Sequence, residues 1–373
     1  MGNKIVGLVN LHHSPTLGGL TERRCLASVS FLSRYALMDF TLSNMVNSDI
    51  DYIGVLAPDS IRSLTKHIGA GGPWMTNTKN SKVQVLYDEP HAHQLGYNSD
   101  VNNIRENWWF LEESRADYVL FAPAHVLHIM DYRQLLSYAK AMGARCTMVY
   151  TRATDLDDEA RGGLLVDVDS QYNISAMYAN RGDRKEGLAS MGIVLRDRSF
   201  LYQVLSLAQS SSSFFSILDV LVTHCRELGI KGYEYAGPYM RRIDTFNHYY
   251  RYSLELLDPQ LRRKLIQPGW PIYTKSYDTP PAFYAKTSEV RDAAIANGCI
   301  IEGTVRHSIL GRDVVVESGA VVENSIILSG TRIGAGAQVR CAVLDKDCAV
   351  VTSGIRIEGT DEAPAFIKRG DRV

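Results

Sequence analysis

Residues 309–339 read ILGRDVVVESGAVVENSIILSGTRIGAGAQV, and apolar side chains recur in them at an unbroken spacing of six: Ile309, Val315, Val321, Ile327, Ile333 and Val339. A strand repeats every two residues and a helix every about 3.6, so neither alone yields that period. A triangular parallel β-helix does, with one short strand on each side and small residues at the corners. The runs GRD, ESG and IGAGA fall where corners are needed, and Leu344 and Val350 continue the series after a one-residue slip. A β-sandwich of short strands gives no reason for a fixed hexad. Residues 291–373 are therefore expected to form a β-helix domain.

Upstream the periodicity changes. Ile5–Val9, Tyr52–Leu56, Val83–Leu86, Tyr118–Phe121 and Cys146–Tyr150 are short and rich in β-formers. Amphipathic stretches lie between several of them, at 60–68, 103–113 and 132–142. This alternation predicts βαβ units on a mixed, mainly parallel sheet over residues 1–254. Ligands of such sheets bind beyond the carboxyl ends of the strands, where VNLHHSPT (9–16) and FAPAHV (121–126) would sit. Residues 255–290, with LLDPQLRR, QPGWP and DTPP, read as a turn-rich linker.

The 373-residue chain has 45% hydrophobic and 22% charged residues and a formal net charge of -1. That balance predicts a globular protein without general attraction to nucleic acid or anionic membrane. No apolar stretch approaches a membrane span. The N-terminal MGNKIVGLVN enters a strand without a charged-then-apolar signal region, so a cytoplasmic location is expected. The six cysteines form no CxxC pattern and are expected to be reduced thiols. His91-Ala92-His93 places two imidazoles on one side of an extended segment, but no Asp, Glu or Cys pair of matching spacing accompanies them, and a metal is not expected there.

RYALMDFTLSNMVNSDIDYIGVL (34–56) and HIGAGGPW (67–74) give the pattern a specific likeness. They are joined by YVL (118–120), MDY (130–132), ASMGI (189–193), YMRRIDTFNHYYRYSLELL (239–257) and CIIEGTVRHSIL (299–310). Together these resemble the glucose-1-phosphate adenylyltransferase family, over nearly the whole chain. The resemblance implies a nucleotidyltransferase-like, Rossmann-like domain followed by a left-handed parallel β-helix of hexapeptide repeats.

The resemblance also implies a site, and there the residues depart from it. The family's nucleotide loop reads Gly-Gly-x-Gly-Thr-Arg-Leu, whereas Leu11–Leu17 place Leu11, His12 and Ser14 at its glycines and Thr16 at its arginine. A Cβ at those positions restricts positive φ and obstructs close approach to a triphosphate. Pro15 further removes an N–H donor. The family's Lys-Pro becomes Leu26-Ala27, an arginine becomes Ala36, and the sugar-phosphate lysine aligns with Asn180. The family's two Mg²⁺-holding aspartates align with His125, or with Ala124 if the alignment shifts by one, and with Arg242, and no carboxylate appears either way. Magnesium takes oxygen ligands, which imidazole and guanidinium do not supply. No cofactor is expected, and Mg²⁺ is not expected at the altered site.

The leading expectation is thus a non-catalytic regulatory subunit, resembling the GlgD-type partner that accompanies a catalytic subunit in a mixed tetramer, or self-associating when alone. An effector-binding module is the alternative, with Arg24, Arg34, Arg241 and Arg242 as phosphate contacts or else paired with Asp39, Asp49 and Asp244. A weakly active sugar nucleotidyltransferase ranks lower, for want of carboxylates. A hexapeptide acyltransferase also ranks lower: it would need more coils, and His307 is the only histidine in the repeat.

Overall fold

The computed structural model describes residues 4–58, 61–75, 81–87, 99–212, 214–350, 352 and 354–373. The segment His91-Ala92-His93 lies outside them. Two compact units emerge, one of Met1–Ser14, Met38–Arg242 and Pro268–Tyr273, the other of Pro15–Leu37, Ile243–Gln267 and Thr274–Val373. The second unit thus takes in two segments upstream of 291, and the expected linker contains the helix Pro259–Leu265.

In the first unit, strands Lys82–Leu86, Tyr52–Leu56, Ile5–Asn10 and Tyr118–Ala122 lie side by side and parallel. Gly187–Asp197 joins Tyr118–Ala122 antiparallel and extends the sheet to Cys146–Ala153 and Leu164–Val168. Helices cover the sheet where capping residues start them. Ser99 accepts from Asn102 N–H at the head of Asp100–Glu106, and Ser216 forms a capping box with Asp219 at Ile217–His224.

A buried polar knot ties this sheet to the segment 268–273. His128 is buried; its Nδ1 lies 2.9 Å from the Val126 carbonyl and its Nε2 2.9 Å from the Tyr132 hydroxyl. Asn44 donates to the His128 carbonyl and accepts from Trp270 Nε1 at 2.7 Å. Burial pulls the His128 pKa down to about 4. Below pH ~6.5 the unfolded imidazole takes a proton that the folded one refuses until about pH 4. Stability is therefore full above that window and falls through it as pH drops, by roughly 3 kcal/mol. Urea unfolding followed by tryptophan fluorescence should show this, since Trp74, Trp108, Trp109 and Trp270 all belong to the first unit. His128→Gln should flatten the dependence between pH 4.5 and 6.5; an unchanged slope would remove His128 as its source.

The second unit is built on a β-helix. Val305, Val322 and Val339 stack in register, as do Val316, Ile333 and Val350, and Leu310, Ile327 and Leu344. All nine are 0% exposed. In chain order these inward positions run 305, 310, 316, 322, 327, 333, 339, 344 and 350, so two steps of six alternate with one of five. This corrects the expected core column in its first coil. Ile309, Val315 and Val321 sit one residue off it, with Val315 and Val321 only half-buried. The short step was hidden because each has an apolar neighbour, and adjacent residues of a strand face opposite sides. Corners use glycine where the turn demands it: Gly330 has φ 76°, and a Cβ there would lie 2.6 Å from Asp347 Oδ1. His307 lies within the strand Thr304–Leu310, where it takes a positive φ of 42°, and contacts Asp292 at 2.5 Å. The six cysteines form no disulfide. No helix among the described residues is long and apolar enough to cross a membrane.

Candidate functional site

The strand Ile5–Asn10 runs out into the loop Leu11–Leu17, which the family resemblance aligns with a nucleotide loop. Leu11 extends the pairing by donating its N–H to the Leu56 carbonyl at 3.0 Å. His12 N–H donates to Asn10 Oδ1, Ser14 N–H to the Leu11 carbonyl, and Leu17 N–H to Thr21 Oγ1. Pro15 has no N–H. Four of the donors that could have faced phosphate are thus consumed inside the chain, and none of residues 11–17 has positive φ. Leu11 is buried, and Asn103 Nδ2 lies 3.2 Å from His12 Nε2.

The neighbouring strand, Tyr118–Ala122, ends in Pro123-Ala124-His125 and continues as the short strand Val126–His128. Met240–Arg242 pairs antiparallel with that strand and sets Arg242 opposite Val126, one residue from His125. Arg242 Nη1 donates to the Ser190 carbonyl at 2.8 Å. Gly163 packs beside its guanidinium, where a Cβ would approach Nη2 to 3.3 Å. Two residues far apart in sequence, which the family resemblance equated with metal aspartates, are therefore brought to one place.

That place is a cavity of about 260 Å³ at the carboxyl ends of the parallel strands, lined by Asn10, His13, Pro123, His125, Ser190 and Arg242 among others. Among the described residues Asp100 is the one carboxylate in the lining. It accepts from Asn10 Nδ2 at 2.9 Å and from the Ile217 N–H at 3.1 Å, and His13 Nε2 stands 3.6 Å away. Burial pushes the Asp100 carboxyl up, but His13, Ile217 and Asn10 together outweigh it and hold the pKa below the usual carboxylate range. The same aspartate raises the His13 pKa. Asp100 and Arg196, another lining residue, were not singled out from sequence. A charge inside the apolar run MGIVLRD (191–197) was the available signal for Arg196.

Magnesium does not fit this donor set. His125 and Arg242 offer no oxygen, and the oxygens of Asp100 are engaged with three donors. Among the described residues, no group of three or more His, Cys, Asp or Glu is arranged to hold a metal.

The other expected residues have separate fates. Arg24 is buried and its Nη2 donates to both carboxylate oxygens of Asp345, so it is committed to an ion pair rather than open to a phosphate. Asp39 and Asp49, its expected alternatives, contact His67 at 2.6 Å and Arg133 at 2.7 Å. Arg34 is exposed, its guanidinium 5.3 Å from the Tyr35 ring centre. Arg241 donates to the Met240 carbonyl and lies over the Tyr239 ring. Leu26 and Ala36 are buried, and Thr16 is exposed. Asn180 donates to the Leu156 and Ala160 carbonyls at 2.9 and 3.0 Å, a loop-bracing role.

Comparison with known proteins matches residues 16–228 to the nucleotidyl transferase family and residues 280–364 to the GlmU-like C-terminal hexapeptide family. Glucose-1-phosphate adenylyltransferase of Fervidobacterium nodosum is 28% identical over 95% of this chain and 85% of its own length. The enzyme of Thermosipho africanus is 32% identical over 82% of this chain and 74% of its own. That of Bacillus cytotoxicus is 30% identical over 92% of this chain and 89% of its own. The chain belongs to the glucose-1-phosphate adenylyltransferase family.

Proposed function

We propose that this chain is a non-catalytic regulatory subunit, assembling with a catalytic glucose-1-phosphate adenylyltransferase and tuning its ADP-glucose synthesis. The observation that carries the reading is the pairing of Arg242 against Val126, which brings a guanidinium beside the imidazole of His125 at positions that the family resemblance aligns with two carboxylates. Phosphoryl-type transfer depends on positioning and on neutralising phosphate charge, so losing metal and loop donors together withdraws most of what the protein contributes. Arg242 can attract a phosphate as a fixed cation, but it does not coordinate attacking and leaving oxygens as a metal ion does. A folded scaffold whose chemistry is gone still presents its surfaces. Strand edges such as Phe283–Tyr284, with both side chains exposed, gain protection when a neighbouring subunit covers them.

The test uses three preparations: this chain alone, a catalytic subunit from the same cell, and the two co-expressed. Mg²⁺-dependent ADP-glucose formation should be near background for the first. The two chains should co-purify, and the mixture should differ from the catalytic subunit alone in kcat, KM or effector response. Robust turnover by the isolated chain, or failure of the two to associate, would refute the proposal.

A further inference from the structure

Arg196 lies in the strand Gly187–Asp197, opposite Cys146 on one neighbour and Val119 on the other, with only 2% of its surface exposed. Its guanidinium carbon sits 4.1 Å from the centre of the Phe121 ring. Nε and Nη1 are buried and make no hydrogen bond among the described residues. A buried cation in that condition is expensive, and burial accordingly lowers its pKa. Neither acidic group that acts on it removes the imbalance. Burial pushes the Cys146 thiol up to about 12, leaving it neutral at physiological pH. Asp100 attracts Arg196 only through space, its oxygens being engaged by Asn10, the Ile217 N–H and His13.

What Arg196 does line is the 260 Å³ cavity, whose formal charges among the described residues are two arginines against one aspartate. The surface beside it is apolar. Phe121 lies under the guanidinium, Val194 shares its face of the strand, and Met148 is the register partner of Val194. Leu221, from the helix Ile217–His224, adds to the same lining. A cation short of partners within an apolar wall complements a molecule with one anionic end and an apolar body. A carboxylate suits it better than a phosphate dianion, because its planar oxygens match the guanidinium fork and it loses less hydration in apolar surroundings.

We propose that this cavity binds a small organic carboxylate, its head group ion-paired with Arg196 and its apolar body against Phe121, Met148 and Leu221. The site requires neither metal nor nucleotide, so its test on the isolated chain is independent of the regulatory reading above.

Thermal unfolding of the full chain is measured with benzoate, with its neutral analogue benzamide, and with inorganic phosphate. Millimolar benzoate should raise Tm by roughly 2–4 °C, with benzamide and phosphate having little effect. Arg196→Met, similar in length but apolar, should abolish the benzoate shift. It should leave the unliganded protein as stable or more so, since it removes an unpaired buried charge. If that variant does not fold, Arg196→Lys keeps the charge without the planar fork and should weaken benzoate several-fold. The proposal is overturned by no shift with benzoate, by equal shifts with benzamide, or by a larger shift with phosphate. A benzoate shift that survives unchanged in Arg196→Met, or in Arg196→Lys where Met does not fold, overturns it equally.

Discussion

Restoring both missing carboxylates, as His125→Asp with Arg242→Asp, is expected to leave Mg²⁺-dependent ADP-glucose formation within about tenfold of the unmodified chain and at least ~10³-fold below a catalytic relative. The two substitutions return oxygen donors to adjoining positions, because Arg242 pairs with Val126 beside His125. Magnesium affinity can therefore recover, and titration calorimetry should detect it. Turnover has a second requirement that they leave untouched. The N–H groups of Leu11, His12, Ser14 and Leu17 bond within the chain, Pro15 has none, and Leu26 is buried where the family resemblance places a lysine. Each absent charge-assisted contact to a phosphate is worth roughly 1.5–3 kcal/mol, so two or three of them reach ~5 kcal/mol, or three to four orders of magnitude in rate. Metal binding regained without turnover is the expected pair of results. Turnover approaching that of a catalytic relative would show instead that the loop is competent and that only the metal ligands had been lost.

The sequence carried the architecture because apolar periodicity is imposed by geometry over many residues. The parallel strands fall where short β-rich runs predicted them, and the hexad marked the β-helix. Its phase was harder to read. Val315-Val316 and Val321-Val322 are apolar on both faces of the strand, so the spacing alone left two columns open, and packing decides for Val316 and Val322. The site could be read no further than residue type, such as the lack of oxygen donors in the side chains of His125 and Arg242. It was illegible wherever a partner had to be known. Nothing in the sequence says that the loop N–H groups bond internally, that Asp100 meets His13, or that Arg196 makes no hydrogen bond. Such pairings are made by the fold, and residue type alone leaves a buried arginine and a solvated one indistinguishable.

Arg24 shows the same dependence and yields the largest stability effect expected here. Asp345→Ala should destabilise the second unit by about 3–5 kcal/mol, the cost of stranding one member of a buried ion pair. Both partners are buried, and the Arg24 guanidinium bonds both oxygens of Asp345 across 321 residues of chain. Asp345 also accepts from the Lys346 N–H at 2.6 Å. Arg24 Nη1 is buried without any hydrogen bond among the described residues even with Asp345 in place, so none of these groups already holds it in the carboxylate's stead. The second unit contains none of the four tryptophans, so native-state hydrogen exchange at amides of the strands Gln338–Arg340 and Ala342–Leu344 is the suitable measurement. Exchange through cooperative opening of the unit should accelerate by roughly 10²–10⁴-fold in Asp345→Ala. Arg24→Met combined with Asp345→Leu removes both charges and keeps apolar volume, and it should recover most of the loss. If the double variant exchanges as fast as Asp345→Ala, the loss comes from packing around residue 345 and not from an uncompensated charge; if neither variant differs from the parent, the pair contributes nothing to holding this unit together.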